Sequence, residues 1–140
     1  MKIYIAGSMY FAKKMLEAKG KLEELGFEAE VPPDTYECVN DPSLNENLEH
    51  CDATDIMRSC MDIQEKCESL LVLNYPKNEI EGYIGAHTLI ELGLAYYLGQ
   101  RIFLLYPPSP LHKQKHYIEV SHMKPFVLDG KLENIKEHLN

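Results

Sequence analysis

Two hydrophobic periods alternate along the chain. Short unbroken runs of Ile, Leu, Val and Tyr suit strands buried on both faces, and between them apolar residues recur every three to four positions, the spacing of one helix face. Residues 2–6 form the first run and end at Gly7-Ser8, a strand-to-loop signal. Over residues 12–25, Met15, Leu16, Leu22 and Leu25 recur at helical spacing, with Gly26 at the C-cap. Residues 27–31 predict a second strand, stopped by Pro32-Pro33. Residues 34–47 are rich in turn formers and have little period, which predicts a long loop of a kind that often carries function. A helix follows over 52–66, with Ile56, Cys60, Ile63 and Cys67 along one stripe. Residues 69–73 predict a third strand, and 74–85 a loop carrying Pro76, Gly82 and Gly85. Residues 87–98 predict a strongly apolar helix closed by Gly99, and 101–105 a fourth strand. Past Pro107, Pro108 and Pro110, a helix is expected over 111–122, a short strand over 126–128 and a last amphipathic helix over 132–139.

Strand and helix in repeated alternation imply parallel strands joined by right-handed crossovers, with helices on both faces of the sheet. The expected fold is a flavodoxin-like or Rossmann-like three-layer α/β sandwich around a parallel sheet of about five strands, with residues 1–140 forming one domain. In such sheets ligands bind past the carboxyl ends of the strands at the switch point, here the loops after Ala6 and Leu73. A hydrophobic fraction of 45% supplies a core without a disulfide framework. The net charge of −8 would repel a phosphate backbone and gives no counterion release, which argues against a polymeric nucleic-acid partner. Neither a signal-peptide pattern at the start nor a bilayer-length apolar run is present, so a cytoplasmic protein with no membrane partner is expected. The cysteines form no CxxC pair, and Cys60 and Cys67, seven apart on one helical face, read as small buried hydrophobes.

One acid stands out against this pattern. Glu91 lies about two turns into the apolar segment Gly85-Ala86-His87-Thr88-Leu89-Ile90-Glu91-Leu92-Gly93-Leu94-Ala95. With apolar neighbours on most sides, its carboxylate either faces a cavity or is a core glutamate hydrogen-bonded for structural reasons. Desolvation would raise its pKa, and His87 and Thr88, four and three residues earlier, lie on the same face as possible partners. Gly82 and Gly85 lead into the N-terminus of this helix, whose free N–H groups favour an anion such as phosphate, and Gly7 and Ser8 offer a similar element after the first strand. Glycines at such turns are more often structural, and neither segment is a GxGxxG or P-loop motif. His112, His116 and His122 lack a convincing further ligand and share their segment with Lys113 and Lys115, so no metal is expected.

Three segments carry a resemblance: Ile3-Tyr4-Ile5-Ala6-Gly7-Ser8, the run at 70–74, and Thr88 to Ala95 followed by Arg101-Ile102-Phe103-Leu104-Leu105. Together they resemble the nucleoside 2-deoxyribosyltransferase family and the related nucleoside 5'-monophosphate N-glycosidases, from Met1 to about Pro107. The resemblance implies a flavodoxin-like homodimer or larger assembly, with no cofactor, that acts on a small nucleoside or nucleotide through Glu91 as nucleophile. The aromatic residue that steadies the glutamate would be Tyr10, with Tyr4 as the other choice. Transferase members carry an Asp after the third strand that protonates the base, where this chain has Asn74, so exchange between bases is in doubt. Ser8 matches a phosphate-holding serine of the monophosphate hydrolases, while near the helix Gly85, His87 and Thr88 stand where a serine is expected.

The residues suit that chemistry independently of the likeness. Cleaving a ribosyl C1'–N bond passes through an oxocarbenium-like transition state, which a carboxylate on the opposite face stabilises or traps as a glycosyl ester. A second acid would assist the leaving base, and Asp34, Glu79 and Glu81 are the loop candidates. The competing readings are a nucleotide-binding or sensing module without chemistry and a glycosidase acting on NAD-like nucleotides.

Overall fold

A computed structural model describes residues 1–139. Its five strands are β1 (Lys2–Ala6), β2 (Glu28–Glu30), β3 (Ser69–Val72), β4 (Arg101–Leu104) and β5 (Phe126–Val127). They pair in the order β2-β1-β3-β4-β5, every neighbour parallel, which is the flavodoxin-like rather than the dinucleotide-binding Rossmann order. The helices are α1 (Ala12–Glu24), α2 (Thr35–Asn40), α3 (Leu48–Thr54), α4 (Ile56–Gln64), α5 (Ala86–Tyr97) and α6 (Tyr117–His122), with 3-10 turns at Met9–Phe11, Pro42–Glu46 and Leu132–His138.

From β1 the chain crosses to β2 on one side, and from β3 to β4 on the other. Right-handed crossovers in opposite directions place α1 and α5 on opposite faces of the sheet. Side-chain alternation along each strand then feeds two separate cores. Ile3, Ile5, Leu71 and Phe103 pack with Met15 and Leu22 of α1. Tyr4, Ala6, Leu70, Val72 and Leu104 pack with Cys60 of α4 and with Leu92 and Ala95 of α5. Tyr4 is therefore directed into the same layer as the apolar helix that carries Glu91.

The segment expected as a loop over 34–47 is instead α2 followed by the 3-10 turn Pro42–Glu46. Side chains bonded to the nearby backbone flank α2 and cap the two elements after it, independently of any hydrophobic period. Thr35 donates its hydroxyl to the Pro32 carbonyl at 2.6 Å, the Asp41 side chain accepts from the Ser43 N–H, and the Asn47 side chain accepts from the His50 N–H at 3.1 Å to start α3. The single helix expected over 52–66 is likewise two, because Asp55 takes a left-handed conformation (φ 43°) between α3 and α4. Of residues 111–122 only Tyr117–His122 is α-helical, and the last helix is a 3-10 run. Upstream of α6, Gln114 bonds both ways to the Ile84 backbone, at 2.9 and 3.0 Å, and fixes the approach to α5. Among the described residues no helix is long and apolar enough to cross a membrane.

Candidate functional site

At the carboxyl ends of β1 and β3, where the strand order reverses, lies a cavity of about 590 Å³. That volume suits a small ligand. Its floor is made by the start of α5, from Gly85 through Glu91, and its far wall by α3 and α4, including Cys51, Ile56 and Cys60. Gly7 permits the two strand ends to approach, since a Cβ there would lie 3.0 Å from the Leu73 carbonyl oxygen.

Glu91 is 4% exposed and borders this cavity, and its Oε2 finds no hydrogen-bond partner among the described residues. Burial raises its pKa to about 7, with the Tyr4 phenol beside it pulling weakly the other way. Tyr4 itself is fully buried; desolvation first, then the charges of Glu91 and Cys60, hold its phenol protonated well above the usual range. These groups influence one another electrostatically, yet Tyr4 Oη closes no hydrogen bond within normal geometry. Burial pushes the Cys60 thiol up to about 12. His87, one turn before Glu91, also borders the cavity with its Nε2 unpartnered, and its pKa is lowered by burial, against a smaller opposing pull from Asp34. Glu91 is held in place through its backbone, because Gln64 of α4 donates to its carbonyl at 2.8 Å.

One edge of the cavity is built differently. Lys77, from the loop between β3 and α5, donates to Ser8 Oγ at 2.9 Å, and its ammonium lies 4.4 Å from the Tyr10 ring centre and 5.4 Å from that of Tyr83. No side chain caps the N-terminus of α5 at Gly85, so its first N–H groups remain directed outward with the positive end of the helix dipole. A lysine ammonium, a serine hydroxyl and a helix N-terminus on one edge form a setting for a single anionic group. Among the described residues Lys77 is the one lysine or arginine bordering the cavity, while the α3 side carries Glu46, Asp52 and Asp55.

Of the positions singled out from sequence, Gly7, Ser8, Gly85, His87, Thr88 and Glu91 converge on the cavity and Tyr10, Asn74 and Gly82 do not border it. The 3-10 turn Met9–Phe11 turns Met9 inward and leaves Tyr10 56% exposed over Lys77, so Tyr4 is the aromatic residue beside Glu91. Asn74 is a clamp: its Nδ2 donates to the Tyr106 carbonyl at 2.7 Å and its Oδ1 accepts from the Tyr106 N–H at 2.9 Å. Gly82, at φ 68°, packs its backbone against the loop after β4, where a side chain would strike the Pro107 carbonyl. Among the three loop acids, Asp34 is buried at the cavity wall and bonded to His50 Nε2 at 3.1 Å, whereas Glu79 and Glu81 are exposed and do not border the cavity. Lys77 and Cys60 are site residues that the sequence did not single out. A lone cation in the loop preceding the Glu91 helix was the available signal for the first.

No protein-family model matches the chain, and no curated protein is similar to it in sequence. Among solved structures, the CMP N-glycosidase BcmB of Clostridium botulinum is similar, with a TM-score of 0.54 at 20% identity, over 99% of this chain and 100% of that one. The likeness is one of fold, and it spans the whole parallel sheet with its helical layers.

Proposed function

We propose that this protein cleaves the N-glycosidic bond of a nucleoside 5'-monophosphate, with Glu91 as nucleophile and water as the final acceptor. The observation that carries this reading is a carboxylate buried at the cavity wall with one oxygen unpartnered and its pKa raised to about 7. Such a group forms a reactive carboxylate near neutral pH and has no competing bond to break before it reaches a substrate carbon. The fold shared with a CMP N-glycosidase supports the same class of substrate and bond.

In the proposed reaction a Glu91 oxygen attacks C1' as the C1'–N bond breaks, and the bonding pair leaves with the base nitrogen, which gains a proton. The Tyr4 phenol, held protonated, steadies the carboxylate from beneath. Water then attacks C1' of the glycosyl ester as the C1'–O bond to Glu91 breaks, losing a proton to solvent, releasing the sugar 5-phosphate and returning the Glu91 carboxylate. Lys77, Ser8 and the N-terminus of α5 hold the 5'-phosphate. Asp34, kept in place by His50 at 3.1 Å, is the acid we assign to the leaving base, as a proton donor or as an acceptor for its N–H groups. Asn74 is committed to the Tyr106 backbone, so the base-protonating acid of the transferases has no counterpart at that position, which favours hydrolysis over exchange. The resemblance also implies a homodimer.

A panel of nucleosides and their 5'-monophosphates, incubated with and without a second free base and resolved by chromatography, tests this directly. The expected result is free base and sugar 5-phosphate from at least one monophosphate, and no new nucleotide when a second base is present. Glu91→Gln should lower the rate by roughly 10³-fold or more while the protein stays folded. Tight nucleotide binding with no base release would instead mark a binding or sensing module, and full activity in Glu91→Gln would remove the nucleophile assignment.

A further inference from the structure

The same wall of the cavity brings together three donors of a kind that bind metals. His87 and Glu91 are four residues apart on α5, so their side chains lie one above the other on a single helix face. Cys60 reaches them from α4, and one donor atom from each residue lies within 4.8 Å of the other two. A tetrahedral ion with bonds of about 2.0–2.3 Å sets its sulfur, nitrogen and oxygen donors roughly 3.3–3.6 Å apart. A side-chain movement of about 1 Å therefore closes the trio around an ion. His87 Nε2 and Glu91 Oε2 are buried without partners, so neither atom gives up a hydrogen bond in that movement. Unpartnered buried polar atoms are rare and costly unless a bound group engages them.

We propose that Cys60, His87 and Glu91 form a binding site for a thiophilic divalent cation, with Zn2+ as its type, and that the bound ion withdraws Glu91 from catalysis. The donor set fixes the class of metal. One sulfur, one imidazole nitrogen and one carboxylate oxygen suit Zn2+, Cd2+ and Co2+, whereas Mg2+ and Ca2+ require oxygen ligands. Three protein ligands leave the fourth position to water from the cavity. The ion takes Cys60 as thiolate and Glu91 as carboxylate, and the protons they carried leave to solvent. The blocking effect rests on the reading of Glu91 as nucleophile, but the binding itself does not.

Cobalt titration of the purified protein separates the two. One equivalent of Co2+ should produce a thiolate-to-metal charge-transfer band in wild type and in Cys51→Ser, and no such band in Cys60→Ser. His87→Gln should weaken Co2+ binding at least as much as the roughly 10–100-fold that loss of a supporting hydrogen bond costs a metal site. Circular dichroism of each variant checks that it is folded, and His87→Gln decides the matter should Cys60→Ser fail to fold. No charge-transfer band in wild type, a band retained in Cys60→Ser, or undiminished binding in His87→Gln would overturn the site. Base release should fall as Zn2+ is added and return with a chelator. Unchanged turnover at Zn2+ concentrations that displace the bound cobalt would overturn the blocking effect. Should no nucleotide be turned over at all, the catalytic reading fails, and the cobalt spectra still decide the metal site.

Discussion

In the proposed mechanism a single proton on Glu91 governs both stability and activity. Its ordinary value is 4.5 and its folded value about 7, so between these pH values the folded chain binds more protons than the unfolded one. The stability that this group contributes is therefore complete below about 4.5 and is lost as pH rises through about 7. That span corresponds to roughly 3 kcal/mol. Glu91→Gln, which cannot ionise, should be more stable than wild type by up to roughly 3 kcal/mol at pH 8 and nearly equal to it near pH 4. Urea midpoints at the two pH values measure this, and equal midpoints at pH 8 would mean that the carboxylate is well hydrated. The proposed nucleophile must be ionised, so the rate of base release should climb with pH through about 7. Lys77 acts at the same scale. A charge-assisted hydrogen bond is worth about 1.5–3 kcal/mol, so Lys77→Met should raise KM for a 5'-monophosphate by about tenfold or more. The kinetics of the matching nucleoside should be little changed, and equal effects on both would place the phosphate elsewhere.

At the scale of elements, the site depends on how α4 is seated on α5. Gln64 is fully buried and donates to the Glu91 carbonyl, and Gln100, at the start of β4, donates to the carbonyls of Gln64 and Cys67 at 2.7 and 2.9 Å. These bonds connect the C-terminal end of α4, the middle of α5 and the approach to β4, and so fix Cys60 relative to Glu91. Gln100→Ala leaves two carbonyls without this donor and should cost about 1–3 kcal/mol of stability. It should also lower kcat more than it changes KM, because the donors assigned to the phosphate lie at the N-terminus of α5, away from Glu91. Thermal melts and steady-state kinetics read the two effects. The left-handed residue Asp55 is the other device at this scale. By breaking one helix into α3 and α4, it lets Leu48 and Cys51 from one and Ile56 and Met57 from the other border the same cavity.

At the scale of the molecule, the outer face of α5 carries large apolar groups in contact with solvent: Ile90 (43% exposed), Tyr96 (53%) and Tyr97 (84%), with Leu98 (41%) just beyond. Such a grouping is a candidate association surface. Ile90 also borders the cavity, which puts this face next to the mouth of the site. The occupant we assign is a second copy of the chain, in keeping with the homodimer that the resemblance implies. Sedimentation should show a dimer, and Ile90→Glu with Tyr97→Glu should shift it to monomer. A monomeric wild type at micromolar concentration would remove the assignment.

Sequence pattern alone was enough to locate the strands and to single out Glu91. The unbroken apolar runs at β1, β3 and β4 suited strands buried on both faces, and an acid in an apolar helix suited either a cavity or a structural partner. It also placed the loops after Ala6 and Leu73 at the ligand end of the sheet, where the cavity lies. The loop expected over 34–47 failed because the short elements there are marked by side-chain bonds to the flanking backbone, from Thr35 to Pro32 before α2 and from Ser43 to Asp41 after it, a signal that hydrophobic periodicity does not contain. Only the tertiary structure chose Tyr4 over Tyr10, turned Asn74 into a clamp on Tyr106, and brought Lys77 to Ser8 and Cys60 to His87 and Glu91. The reason is geometric: periodicity fixes which side of its own element a residue occupies. Which residues of other elements it meets there is decided by the direction of each crossover and by contacts between residues far apart in the chain.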